Sequence, residues 1–326
     1  MRSLRKSVAR SVDELARLRP LWNDLFNHHP KTMFQRFEWN LLAANIFSDR
    51  LSPVICAVES DGGAAIIPVA IHQQANRLEL LGETLFDYRD LLHTGDERVL
   101  QLAWEMVAEV QLPLSVTAVQ SENAAAYWKQ FEPTEFAGAP WVDAAILTAE
   151  QFRALHTRAA RQLRRMQRKG VKLHQHSGME SDLVKRIYQL KCDQFSADAS
   201  NVFRDQRRRE FMVAVAAAEA EQCQIFTLED AVGCIVAGLV TFLDGGIRRF
   251  YTIYFDPGWA VYSPGVALVF EATALSLEQG VSCDYMTGEY PYKLRFANAS
   301  RMLYRVEASP AQIDAIAQGL AKRKIA

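Results

Sequence analysis

Two stretches of this chain carry the same pattern, and that repetition limits what it can fold into more than any other feature. Ile55-Cys56-Ala57-Val58-Glu59 opens one run of strand-like segments, and Ile225-Phe226-Thr227-Leu228-Glu229 opens another. Phe86-Asp87 and Phe255-Asp256 close the two runs at nearly the same offset. Helical periodicity precedes each run, and a helix followed by a strand comes after it. Self-similarity of this kind means one supersecondary plan used twice. With 326 residues, each half is long enough to bury its own core. The expected organisation is therefore α/β throughout, in two domains, 1–148 and 149–326, packed side by side.

The elements follow from apolar spacing. Leu15, Leu18, Leu21, Trp22, Leu25 and Phe26 recur at intervals of three and four, which predicts helix over 12–27, with another over 34–46. Strands are expected at 53–59, 64–73 and 77–81, broken by Asp61-Gly62-Gly63 and Gln74-Ala75-Asn76, then a helix at 96–110, a strand at 114–119, a helix at 121–131 and a strand at 141–147. The second half reads as a long helix at 150–169, helices at 181–197 and 205–221, and strands at 224–229, 234–243 and 247–255 with a hairpin at Asp244-Gly245-Gly246. A helix at 265–279, a strand at 281–286 and a last strand near 302–307 complete it.

Composition removes several classes. At 49% apolar and 23% charged residues, the chain is neither disordered nor fibrous. The 37 lysines and arginines balance 38 aspartates and glutamates, so no overall field draws it to nucleic acid or lipid, and any charged partner must meet a local patch. Five cysteines without paired spacing read as reduced thiols in a cytoplasmic protein. Arg2, Arg5, Lys6 and Arg10 precede no apolar stretch of secretory type, and the longest apolar run, 234–243, is about half a membrane span, so no transmembrane segment is expected. His28-His29, His174 and His176 lack metal-ligand context, and no metal is expected. There is no phosphate-binding glycine loop of kinase type, no dinucleotide fingerprint and no serine-triad spacing.

Between Arg248 and Phe296 the sequence becomes distinctive. Tyr254 and Asp256 end a strand, Ser263-Pro264-Gly265 begins a helix, and Asp284 leads through Gly288-Glu289 to Tyr292-Lys293. These elements resemble the GNAT-type acyltransferases of the CelD/BcsL-like group (BioF2-like acetyltransferase domain), distantly similar to the FemAB peptidyltransferases. The resemblance implies tandem GNAT-like domains with mixed, mostly antiparallel sheets flanked by helices. The second would be the acyltransferase, and the first a degenerate copy on the acceptor side. It implies an N-acyltransferase that takes its acyl group from acetyl-CoA or another acyl-CoA and passes it to an amine of a sugar, peptidoglycan or exopolysaccharide precursor. Two alternatives stay open: a FemAB-like enzyme using aminoacyl-tRNA, and a non-catalytic scaffold that keeps the fold.

Within that frame each candidate residue has a chemical reason. Ser263, Pro264, Gly265 and Val266 read as a capped helix start whose free N–H groups and dipole suit an anion such as the pyrophosphate of coenzyme A. The strand before it, ending in Tyr254, would offer its backbone edge to the pantetheine arm. Glu289 is the candidate base for the acceptor ammonium, and Tyr292 the candidate proton donor to the leaving thiolate, with Tyr254 a further catalytic candidate. Lys293, Asp284 and Asp256 are candidate acceptor contacts, as are Asp87, Tyr88 and Arg89, beside Asp90, at the close of the first run; that tetrad is equally readable as a charged turn. On the helix 150–169, Phe152, Leu155, Ala159, Leu163 and Met166 form an apolar stripe, and Arg158, Arg161, Arg165 and Arg168 a basic one. Such a basic stripe is either a solvated face or a surface for a polyanion: a nucleotide-sugar phosphate, a tRNA or an anionic membrane.

Overall fold

The computed structural model describes residues 4–28, 32–196, 198 and 201–319; Arg2 and His29 lie outside the described residues. In chain order the elements are β1 (Arg5–Ala9), α1 (Val12–Arg17), α2 (Arg19–His28), α3 (Phe37–Ile46), β2 (Leu51–Ser60), β3 (Gly63–His72), β4 (Arg77–Leu80), β5 (Leu92–Gly95), α4 (Glu97–Ala108), β6 (Leu114–Gln120), α5 (Ser121–Ala126) and β7 (Thr134–Val142). Then come α6 (Ala149–Leu155), α7 (Thr157–Gln167), β8 (Lys172–Ser177), α8 (Ser181–Gln194), α9 (Gln206–Ala218), β9 (Cys223–Glu229), β10 (Ile235–Asp244), β11 (Ile247–Phe255), α10 (Pro264–Glu278), β12 (Ser282–Asp284), α11 (Pro291–Phe296), β13 (Ala299–Ala308) and α12 (Pro310–Ala317).

Two compact units result, one from residues 1–137 with 302–326 and the other from 138–301. The single cut expected near 148 thus falls earlier, and the end of the chain returns to the first unit, because β13 pairs antiparallel with β6 from Leu303↔Gln120 to Ala308↔Leu114. In the first unit the strands run β1-β2-β3-β4-β6-β13, with β5 also on β3. In the second they run β7-β12-β11-β10-β9-β8. The duplicated plan is visible in the long hairpins β2/β3 and β10/β11, the second turning at Gly245-Gly246, both at positive φ.

The expected helix 150–169 is two helices. A capping box of Thr148 and Gln151 starts α6, but His156 leaves the helical region at φ −112°, ψ 41°, and α7 starts at the next residue. The His156 ring is held between Phe152 (centroids 4.5 Å apart) and Phe296 (4.9 Å). Leu163 and Met166 are buried as expected, whereas Leu155, next to the break, is exposed.

The core of the second unit packs α10 against the sheet, with Phe152, Phe270, Phe296, Tyr285 and Phe250 around it. A bulge in β11 sets which side chains face that helix. Val240 pairs with Thr252 and Thr241 with Phe250, leaving Tyr251 extra and shifting the alternation by one. Ile253 and Phe255 consequently lie against Gly265 at the start of α10. Thr252, on the other face, meets the Tyr188 hydroxyl of α8 at 3.0 Å.

Beneath this packing lies a buried ion triad. Arg249 of β11 donates through Nε to Asp244 Oδ2 at 2.8 Å and through Nη1 to Asp284 Oδ2 at 2.6 Å, joining the β10/β11 hairpin to the end of β12. All three side chains are buried. Removing one member of such a cluster leaves uncompensated buried charge. Arg249→Met should therefore destabilise the second unit by about 3–5 kcal/mol, lowering its melting temperature by on the order of 6–15 °C. A melting curve that superimposes on that of the parent protein would contradict this assignment.

Candidate active site

The site is set by where β11 and β12 part. They pair in parallel at Ile247↔Ser282, Arg248↔Cys283 and Arg249↔Asp284, and the pairing stops there. β11 continues to Phe255. The chain after Asp284 turns to β7 instead: Tyr285 N donates to Pro140 O at 3.0 Å and Gly288 N to Gly138 O at 2.9 Å. Asp284 directs the departure, since its Oδ1 accepts from Met286 N at 2.7 Å and Met286 takes φ 65°. Two strands that separate while their neighbours stay paired leave backbone edge available to a ligand.

A groove of about 640 Å³ lies in this unit, lined by the start of α7, the N-terminal turn of α10 and the segment from Tyr290 to Phe296. That volume suits a small-molecule ligand. The structure brings four expected residues into its walls: Arg158, Ser263, Val266 and Tyr292. Sequence reasoning missed His156 and Arg295, which also line it. Burial, then the charge of Arg295, holds the His156 imidazole below its usual range. The positive charge in the groove thus comes from Arg158 and Arg295, beside first-turn N–H groups of α10 that have no acceptor within their own helix.

Tyr292 is the best-placed acid. Burial, helped by Tyr290, pushes its phenol up to about 12, so it carries its proton at neutral pH. The rings of Tyr290 and Tyr292 lie nearly parallel, 6.4 Å apart. Glu289 is exposed and its side chain lies over Gly138, where an added Cβ would fall 2.6 Å from the carboxyl carbon. It is not among the residues lining the groove that Tyr292 lines.

Ser263 departs from the expected cap. It sits at φ 50°, ψ 56°, ending the 3₁₀ turn Pro257–Tyr262 with its N–H on Ala260 O, and its side chain caps nothing in α10. Because a left-handed residue cannot present its hydroxyl as an N-cap does, the exposed Ser263 stands at the edge of the groove in a conformation that costs about 1 kcal/mol or more. Pro264 and Gly265 are buried, and Gly265 serves the contact with Ile253 and Phe255, where an added Cβ would meet atoms of both at 3.3 Å.

Other expected residues lie elsewhere. Tyr254 is buried on the α8 side of the sheet, its phenol raised by burial and then by Asp256, with Arg186 acting against them. Asp256 Oδ1 accepts from Gly258 N at 2.8 Å, starting the 3₁₀ turn. Asp284 is committed to Arg249. In the first unit Tyr88 and Arg89 are buried, Tyr88 edge-on to Phe34, and Asp87 is half-buried. Arg158, Arg161, Arg165 and Arg168 are all exposed; none has an ion-pair partner among the described residues, and Arg165 lies 5.1 Å from the Tyr262 ring centre.

The residue with no sequence signal is Lys191. From α8 its Nζ donates to Ile253 O at 2.7 Å, on the stretch of β11 that β12 has left. Desolvation first, and then the charge of Lys293, lower its ammonium to about 8. Lys293 is buried and donates to Thr287 O at 2.7 Å and Met286 O at 3.3 Å, on the segment that leaves β11. One lysine thus binds carbonyls on each side of the parting. Below pH 8 the cost of holding the Lys191 charge in the fold is fully present; between about 8 and the ordinary 10.5 the folded protein sheds a proton that the unfolded chain keeps, and stability recovers. Subtracting the unfolding free energy of Lys191→Met from that of the parent should give a difference that climbs with pH across this window. A flat difference would show that Lys191 titrates as an ordinary surface lysine.

Residues 151–294 match the family model described as an acetyltransferase (GNAT) domain. No curated protein matches the chain. Among solved structures the chain is similar to FemX (TM-score 0.59, 9% identity, 98% of this chain and 99% of that one). It is also similar to L-PGS from Bacillus licheniformis (0.56, 14%, 92% and 96%), and to a tandem GNAT protein from the clavulanic acid biosynthesis pathway (0.54, 11%, 94% and 99%). At these identities the likeness establishes the fold: a tandem GNAT architecture whose second half carries the GNAT-type domain.

Proposed function

We propose that the chain is an N-acyltransferase whose donor occupies the groove between α10 and α11 and whose acceptor is an amine. The observation that carries this reading is a half-buried, protonated Tyr292 in the same groove as the α10 N-terminus and two arginines, in the unit where β11 and β12 part. An acyl thioester supplies the electrophilic carbonyl carbon. The acceptor nitrogen forms the new bond to that carbon, the bond to the leaving atom breaks, and Tyr292 gives the leaving atom its proton. Arg158, Arg295 and the first turn of α10 would hold a diphosphate. Glu289, exposed and beyond the groove lining, would take the amine proton through water.

Acetyl-CoA as donor, and a sugar, peptidoglycan or exopolysaccharide precursor as acceptor, follow the CelD/BcsL-like resemblance of the 248–296 segment, and the free cysteines fit a cytoplasmic setting. A second reading, aminoacyl-tRNA as donor, is favoured by one observation: arginines of α7 without an ion-pair partner among the described residues continue from the groove wall at Arg158 along the exposed helix face. In either case the proton donor is the same. Tyr292→Phe should lower kcat by at least about tenfold with little change in melting temperature, measured as donor consumption over an amine panel with acetyl-CoA and charged tRNA in parallel. Full turnover in Tyr292→Phe would remove this tyrosine from the chemistry.

A further inference from the structure

We propose that the basic face of α7, together with the 3₁₀ turn Pro257–Tyr262 and the rim of the groove, is a docking surface for an anionic lipid bilayer. The inference goes beyond acyl transfer and holds whatever group the groove accepts.

The first observation is charge. From Gln151 to Met179 the sequence contains no aspartate or glutamate. Arg158, Arg161, Arg165, Arg168 and Lys169 follow one another at steps of three and four along one side of α7 and just past its end. All five are exposed, and none has an ion-pair partner among the described residues. The whole chain has a formal net charge of −1, so this stripe is a local departure and not part of a generally basic surface. The opposite side of α7 is committed elsewhere: Ala159, Leu163 and Met166 are buried in the core of the second unit. This helix therefore cannot lie apolar face down in a membrane; it would meet one with its charges.

The second observation decides the partner. Leu155, Tyr290 and Val261 are 68%, 61% and 67% exposed, and they surround the stripe. Leu155 and Tyr290 share the groove wall with Arg158. Val261 precedes Tyr262, whose ring centre lies 5.1 Å from the Arg165 guanidinium carbon and 5.9 Å from Lys169 Nζ. A single exposed apolar side chain is ordinary, but three gathered around one cationic stripe mark an interaction surface. An anionic bilayer meets both features. Its phosphates pair with the cations, and the boundary just beneath them receives the leucine, the valine and the tyrosine. A tRNA would engage the arginines through its phosphates but offers no hydrocarbon to Leu155 or Val261. Docked on lipid in this way, the groove opens at the headgroup layer, because Leu155 and Tyr290 line its mouth.

Co-sedimentation of the full-length protein tests the surface. The probes are equimolar phosphatidylcholine–phosphatidylglycerol vesicles and vesicles of phosphatidylcholine alone, with bulk tRNA as a separate polyanion. Binding should require phosphatidylglycerol and weaken as salt rises. Arg161→Glu with Arg165→Glu should lower it at least about tenfold. Leu155→Ser with Val261→Ser should lower it about fivefold or more. Lys185→Glu with Arg186→Glu changes the net charge as much as the arginine pair does, on exposed positions of α8 against the other face of the sheet, and should bind as the parent does. All these side chains are exposed, so each variant should keep the parent melting temperature. Equal binding to both kinds of vesicle, parent-like binding by the arginine or the serine variant, or binding to tRNA with none to either vesicle would overturn the membrane surface. The last result would assign the arginines to nucleic acid. Tyr292→Phe separates this proposal from the acyl-transfer reading: its vesicle binding should equal the parent's even where turnover is lost.

Discussion

Arg249 is the residue on which the second unit turns. Its guanidinium fork takes Asp244 from the hairpin end and Asp284 from the end of β12, and so fixes the last point at which β11 and β12 are paired. The other oxygen of Asp284 holds Met286 N, which sends the chain toward β7. A point charge could not make this connection; the planar five-donor fork of arginine can hold two carboxylates in a fixed geometry. The parting of the strands, and with it the placement of Tyr290, Tyr292 and Lys293, follows from this one buried cluster.

The charges around the parting divide into two kinds. In the groove, Arg158 and Arg295 are exposed, and with the α10 N-terminus they offer positive potential at a water-accessible wall. At the strand edges, the half-buried Lys191 and the buried Lys293 are tied to backbone carbonyls of Ile253 and of Met286 and Thr287. Exposed arginines attract a ligand at a rate that depends on salt. The exposed basic face of α7 extends the first kind of surface away from the groove.

Much of this was legible in the sequence. The repeated strand openings at Ile55 and Ile225, the glycine hairpin at 245–246 and the apolar spacing of α10 led to the tandem α/β plan, because paired hydrophobic strands and their turns leave local signatures. Edge elements did not show. The strand Lys172–Ser177 has only Leu173 as an apolar residue, and Arg5–Ala9 is equally polar at its start, so neither produces an alternating pattern. Tyr292, Val266 and Arg158, which sequence chemistry singles out, all line the groove. Ser263 reads in the sequence as a side-chain cap, because only the fold forces it to φ 50°. Gly265 reads in the sequence as room for a ligand, and in the fold its missing side chain also makes room for Ile253 and Phe255. Lys191 was invisible, since a lysine on a helix carries no local mark of the strand carbonyl it will meet.

The central claim is that a donor binds where α10 begins and α11 faces it. Hydrogen exchange of the backbone amides, read with acetyl-CoA and with charged tRNA in turn, tests it most directly, because amides that bind an anion or line an occupied groove are slowed locally. The account predicts that at least one of the two donors slows exchange in residues 263–267 and 290–296 together, with the segment around Ile253 following. Protection confined to the first unit, or no change with either donor, would contradict it.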